Sequence, residues 1–152
     1  MLLTGTFARS LDEKLRVPVP KQLREPLCEA NSPLYLTPGT DQSLALYTEE
    51  TLTRLAERLA QASPNRQDVR AYQRLFYAQA QRVEIDGQGR LRVPPELAAV
   101  AAMEKEVVLL GVHDHVEIWA ADRWQEYQAA SQADFDHLAE TAFDPGRTSA
   151  GA

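Results

Sequence analysis

Two arginines in this chain close the same short pattern. Arg16 ends Leu11-Asp12-Glu13-Lys14-Leu15-Arg16, and Arg90 ends Ile85-Asp86-Gly87-Gln88-Gly89-Arg90. Each continues as apolar-x-Val-Pro (Val17-Pro18-Val19-Pro20; Leu91-Arg92-Val93-Pro94), so the motif recurs at an offset of 74 residues. A guanidinium is planar and permanently charged. Its donor fork matches a carboxylate, a phosphate or the O6/N7 edge of guanine in paired hydrogen bonds. An aspartate four residues earlier can accept backbone N–H bonds across the intervening turn, or pair with the arginine and fix its direction. The pattern therefore has two readings: a turn held together by an ion pair, or a turn that holds a guanidinium out towards a partner.

Other reactive groups are sparse. His113-Asp114-His115 places two imidazoles at a hairpin tip without a third fitting ligand nearby, and reads as a polar turn. Cys28, the single cysteine, is followed by Glu29, whose charge would raise the thiol pKa. One cysteine excludes intrachain disulfides and Cys-rich zinc sites. Phosphate loops, dinucleotide fingerprints and Gly-x-Ser-x-Gly are missing from the sequence. We expect no catalytic residue, no metal site and no cofactor, and hence no enzyme.

The elements that must position the arginines follow from local pattern. Thr6–Leu11 and Gln81–Ile85 read as strands entering each turn, and Arg16–Val19 and Arg90–Val93 as strands leaving it, with alternating apolar residues. Pro20 and Pro94 stop these strands and suit helix starts, giving short helices over Pro20–Leu27 and Pro94–Ala102. Hairpins follow: Leu34–Thr37 with Leu44–Tyr47 around Pro38-Gly39-Thr40-Asp41, and Val107–Leu110 with Val116–Trp119 around Gly111-Val112-His113-Asp114. The second strands of the hairpins, Leu44-Ala45-Leu46-Tyr47 and Val116-Glu117-Ile118-Trp119, match at an offset of 72, so one loop is two residues shorter. Thr48 is a good N-cap for a helix over Glu49–Gln61 with a Leu52/Leu55/Ala56/Leu59 stripe. A second helix starts at Ser63-Pro64 with Val69, Tyr72 and Phe76 on one face, and a third carries Trp124 and Tyr127, with Phe135 and Leu138 as its extension. Residues 145–152 read as disordered.

The class is α+β, mainly β. Strands this short do not make a stable sheet in each half. Interleaving the halves into one small barrel with peripheral helices would bury both apolar faces and remove the edges. The organisation is a first repeat over 1–62, a bridging helix over 63–80, a second repeat over 81–130 and an acidic tail over 131–152.

The motifs taken in order resemble the MraZ family of bacterial transcriptional regulators, within the AbrB/SpoVT superfamily of swapped-hairpin DNA-binding domains. The likeness spans about residues 1–128. It rests on Gly5-x-Phe7, Leu11-Asp12-x-Lys14-x-Arg16-x-x-Val19-Pro20, Leu36-Thr37-x-Gly39, Arg74-Leu75-Phe76, Asp86-x-x-Gly89-Arg90-x-x-Val93-Pro94, Lys105-Glu106-Val107-Val108-Leu109-x-Gly111, Glu117-Ile118-Trp119 and Arg123-Trp124. The family turn is Asp-x-Lys-Gly-Arg; here Leu15 replaces its glycine and Gln88 its lysine. Because a γ-branched side chain resists positive φ, the first turn either avoids that conformation or is strained.

The resemblance implies a swapped-hairpin barrel that binds double-stranded DNA at direct repeats upstream of a division and cell-wall gene cluster including its own gene, most simply as a repressor. It also implies a ring-like homo-oligomer, for instance an octamer. Under that reading Arg16 addresses the duplex first. Lys14, Arg9, Lys21 and Arg24 supply phosphate contacts, Gln88, Arg90 and Arg92 serve the second turn, and Asp12 and Asp86 stabilise the turns. Trp119, Trp124, Tyr127 and the Val69/Tyr72/Phe76 face would divide between core and subunit interface. The main alternative is a protein-binding scaffold or antitoxin-like module built on the same barrel.

Bulk properties agree. The 152 residues carry a net charge of −6, which argues against a broad basic surface. Yet residues 1–27 are net positive, with Arg9, Lys14, Arg16, Lys21 and Arg24 against Asp12, Glu13 and Glu25, while the acidity gathers after residue 100. Local potential decides phosphate contact, because screening in salt limits the reach of distant charges. The Met1-Leu2-Leu3-Thr4-Gly5 start lacks the basic and apolar segments of a signal peptide, and no apolar run is long enough to span a bilayer. We expect a cytoplasmic, nucleoid-associated protein that does not enter the membrane.

Overall fold

A computed structural model describes residues 1–29 and 31–144. The segment read as disordered, 145–152, lies outside the described residues. The chain divides into two compact units, Met1–Ala121 and Asp122–Ala152.

The first unit carries both Asp-x-x-x-Arg motifs. Its strands are β1 (Thr6–Ser10), β2 (Arg16–Pro18), β3 (Leu34–Pro38), β4 (Leu44–Thr48), β5 (Gln81–Val83), β6 (Arg90–Arg92), β7 (Glu106–Val112) and β8 (His115–Ala120). Its helices are α1 (Lys21–Cys28), α2 (Glu49–Ala60), α3 (Gln67–Gln79) and α4 (Pro95–Val100). The strands form a six-stranded antiparallel sheet in the order β1-β7-β8-β4-β3-β5 and a two-stranded sheet β2-β6. Exchanging each strand for its counterpart in the other half reads the larger order backwards, so the sheet has an internal twofold. Val17 faces Leu91, its own counterpart, and Ala45 faces Glu117, its own counterpart. The local axis therefore passes through both pairs.

Interleaving is close. β1 pairs with β7 of the other half, β5 with β3, β4 with β8 and β2 with β6. The reason is the one anticipated: each half exposes an apolar face that only the other half covers. Leu36, Leu44, Leu46, Leu91, Leu109 and Ile118 are wholly buried in the shared core. The α+β class holds. In place of a single barrel ladder closed all the way round, the pairing gives two sheets, with β1 and β5 at the edges of the larger one.

Local expectations also meet specific corrections. Thr48 caps α2, its Oγ1 accepting from the Thr51 N–H at 3.2 Å. The helix expected from Ser63-Pro64 begins at Gln67 instead, because residues 64–66 form a turn closed by Ser63 O and the Arg66 N–H at 3.3 Å. The bridging helix of 63–80 is correspondingly shorter.

Helix α5 (Ala121–Gln132), which belongs to the second unit from Asp122 on, carries Trp124 and Tyr127, whose rings stack 6.0 Å apart. Phe135 and Leu138 do not extend it. The chain turns at Ala133-Asp134, where Ser131 O accepts from the Asp134 N–H at 3.0 Å, and a separate helix α6 (Phe135–Ala142) follows. Among the described residues no helix is long and apolar enough to cross a membrane.

Candidate nucleic-acid interface

The two Asp-x-x-x-Arg turns are built alike, hydrogen bond for hydrogen bond. Asp12 Oδ1 accepts from the Lys14 N–H at 2.9 Å and the Arg16 N–H at 2.8 Å. Asp86 Oδ1 accepts from the Gln88 N–H at 2.8 Å and the Arg90 N–H at 3.0 Å. The second carboxylate oxygen takes the arginine Nε–H, at 2.7 Å for Asp12–Arg16 and 3.3 Å for Asp86–Arg90. Both carboxyls lie below the usual range, first because of the arginine backbone N–H and further through the turn and guanidinium bonds, with partial burial opposing. The two readings of the motif thus describe one device. The aspartate stabilises the turn and grips the arginine at Nε, which leaves the Nη1/Nη2 edge of Arg16 and of Arg90 without a hydrogen bond or ion pair among the described residues.

Leu15 takes the left-handed conformation, at φ 61°, and Gly89 does so at φ 78°. The leucine therefore does not divert the first turn. Its side chain packs against the core, partly buried. The turns also support each other across the axis: Leu15 O accepts from the Val93 N–H and Gly89 O from the Val19 N–H, both at 2.8 Å.

These turns lead into β2 and β6, where Arg16 stands opposite Arg92 and Pro18 opposite Arg90. Alternation puts all four on one face, since Val17 and Leu91 between them are fully buried. Three guanidinium groups from both repeats consequently share a face three residue pairs long. Like charges directly opposite weaken a sheet. Asp12 and Asp86 offset two of the three, and Arg92 is exposed with no ion-pair partner among the described residues.

The remaining expected residues are less concentrated. Lys14 is exposed at the tip of the first turn and Gln88 at the matching point of the second. Arg9 lies on edge strand β1, its guanidinium 5.8 Å from the Phe7 ring centroid and donating to Ala8 O at 2.7 Å. Lys21 pairs with Glu25 along α1 at 3.6 Å, both side chains exposed. Arg24 turns inward and donates to Val19 O at 3.3 Å. Arg82, not singled out in the sequence, lines one groove with Arg92, Val83, Glu84 and Pro94. Its only sequence signal was its place one residue into the strand that enters the second turn.

His115 is held between Asp114 Oδ1 at 3.0 Å and Glu117 Oε2 at 3.2 Å, and Glu117 also accepts from Trp119 Nε1 at 3.0 Å. Burial works against the charged imidazole, but the two carboxylates outweigh it and raise the pKa. The Tyr47 ring lies 5.2 Å from His115, and its hydroxyl pKa is pushed up to about 12 by burial and then by Asp114. The Cys28 thiol is also raised, by burial rather than by Glu29. Phe76 and Trp119 are buried, while Tyr72 and Tyr127 are exposed.

Comparison with known proteins agrees with the motif order. Residues 76–145 match the family model described as "MraZ protein, putative antitoxin-like". The chain is 38% identical to the transcriptional regulator MraZ of Heliobacterium modesticaldum over 94% of its own length and 98% of the relative's. It is also 38% identical to the transcriptional regulator MraZ of Lactiplantibacillus plantarum, over 92% and 97% of the two chains. A third relative of the same name, from Thermomicrobium roseum, is 38% identical over 81% and 84%. With relatives this similar over nearly its whole length, the chain belongs to the MraZ family.

Proposed function

We propose that this protein is a sequence-specific DNA-binding transcriptional regulator, acting as a repressor at direct repeats upstream of a division and cell-wall gene cluster that includes its own gene. The observation that carries the reading is the shared face of β2 and β6. It presents Arg16, Arg90 and Arg92 together, two of them gripped at Nε so that the outer edge of the guanidinium stays open. A guanidinium held this way is preorganised for the O6/N7 edge of guanine or for a phosphate, and loses less side-chain freedom on binding than a loose one. Lys14, Arg9, Lys21 and Arg82 surround the same reading with backbone contacts, which position a protein on a duplex without reading sequence. The names of the relatives support a role in transcription.

One protomer offers few cations. Several copies in a closed ring, for instance an octamer, would raise affinity by acting on repeated sites at once. Such a regulator works in the cytoplasm on the nucleoid.

A fluorescence-anisotropy titration against a duplex from the region directly upstream of its own gene tests the proposal. Wild-type protein is expected to bind with a steep salt dependence, because each phosphate the protein neutralises steepens the fall of log affinity with log salt by about 0.9. Undiminished affinity in Arg16→Ala, or a flat salt slope, overturns it. A flat slope with capture of a protein partner would favour the scaffold or antitoxin-like alternative.

A further inference from the structure

The two turns share a backbone but not a support. At the first, the left-handed residue is Leu15, and its own side chain fills the space against the core. At the second, that residue is Gly89, and the space is taken by Arg24 of α1, which comes from the other repeat. A Cβ placed on Gly89 would run into Arg24 Nη1 and would meet Cζ at 3.0 Å and Cδ at 3.6 Å. The same guanidinium donates to Val19 O at 3.3 Å, while the Val19 N–H donates to Gly89 O at 2.8 Å. One residue of the first repeat is thus tied through its carbonyl to Arg24 and through its N–H to the second turn. Ala98 occupies the position 74 residues after Arg24 and is buried, so the first turn has no such cation above it. Size is exchanged across the axis: a large residue in the turn with a small one on the helix, then glycine in the turn with arginine on the helix.

We propose that Arg24 is a positioning residue for Arg90, clasping Gly89 so that the second turn holds its guanidinium on the shared face, and that it does not itself contact phosphate. This rests on the DNA-facing reading of the turns. It also explains why Arg24 is half-buried and folded back while Lys14 and Arg92 are exposed. The clasp couples the halves: α1 of the first repeat sets the recognition arginine of the second.

The test has a DNA-free arm and a DNA arm. In Arg24→Ala, the NMR signal of the Arg90 Nε–H is expected to shift and exchange faster with solvent, while that of Arg16 Nε–H stays in place as an internal control. Arg24→Lys, which keeps the aliphatic stem and charge, should recover part of the shift and stands in should the alanine variant fail to fold. An unmoved Arg90 signal in folded Arg24→Ala overturns the proposal, and so does one in Arg24→Lys where the alanine variant does not fold. With the upstream duplex, Arg24→Ala is expected to weaken binding about tenfold, within the range that coupled neighbours span. On an Arg90→Ala background the same change should cost less than about twofold, since its route is already removed. Losses that multiply instead would make Arg24 a direct phosphate ligand and refute the clasp. If wild-type protein does not bind the duplex, the proposed function falls, and the NMR arm still decides the clasp.

Discussion

Replacing Leu15 separates the conformational cost of the first turn from its packing. At φ 61° an L-residue with a Cβ pays about 1–2 kcal/mol, a cost glycine escapes. Against this, the Leu15 side chain is partly buried on the core. Complete burial of a leucine contributes about 1.5–3 kcal/mol, so a partial share is roughly 1–1.5 kcal/mol. Leu15→Gly removes both effects, and its stability should stay within about 1 kcal/mol of wild type. Leu15→Ala keeps the φ cost and loses most of the packing, so it should lie about 1 kcal/mol below both. For a chain of this size each kcal/mol moves Tm by roughly 2–4 °C. Thermal unfolding followed by circular dichroism should therefore order the variants with wild type and glycine close together and alanine lowest. An alanine variant more stable than the glycine variant would refute the reasoning, because it would mean that the left-handed conformation costs nothing here. DNA affinity should change by less than about fivefold in Leu15→Gly, the factor that 1 kcal/mol represents. The Leu15 O–Val93 N–H bond that holds the turn is a backbone bond and survives the substitution.

Other expectations follow from the same geometry. Leu91→Ala empties the centre of the β2–β6 pair and should cost about 2–5 kcal/mol; an unchanged denaturation midpoint would contradict its place on the axis. Asp12 and Asp86 have pKa values below the ordinary 3.8, so their contribution is present above that value and lost as pH falls through the folded-state values. Carboxyl NMR titration should find both depressed, and Arg16→Ala should move Asp12 back upward without moving Asp86. His115 lies above the ordinary 6.5, so its contribution is complete below 6.5 and is lost as pH rises through the folded value. Glu117→Gln should lower that pKa in an imidazole titration, and an unchanged value would show that this carboxylate does not hold it up.

The turns were the most legible part of the chain. Asp12 and Arg16 sit four residues apart, and bonds that close within five residues leave their mark on local spacing. The offset of the repeats also told where each strand had its counterpart, and the surplus apolar face of each half required the halves to interleave. Element ends were less legible. Ser63-Pro64 has the form of a helix start, yet Ser63 O closes a turn on the Arg66 N–H and delays α3 to Gln67. The break between α5 and α6 has no proline or glycine to announce it.

By itself the sequence determined the duplicated motif, the strand and helix types, the α+β class and the two candidate roles of the aspartate in each turn, because all of these depend on neighbours along the chain. Tertiary structure decided the rest. Only the cross-half register puts Arg16 opposite Arg92 and gathers three guanidinium groups on one face. Only the placement of α1 beside the other repeat's turn brings Arg24 onto Gly89. Such contacts join residues far apart in the chain, and they arise where two halves bury their apolar faces together; local pattern demands that burial but does not specify which polar groups it brings face to face.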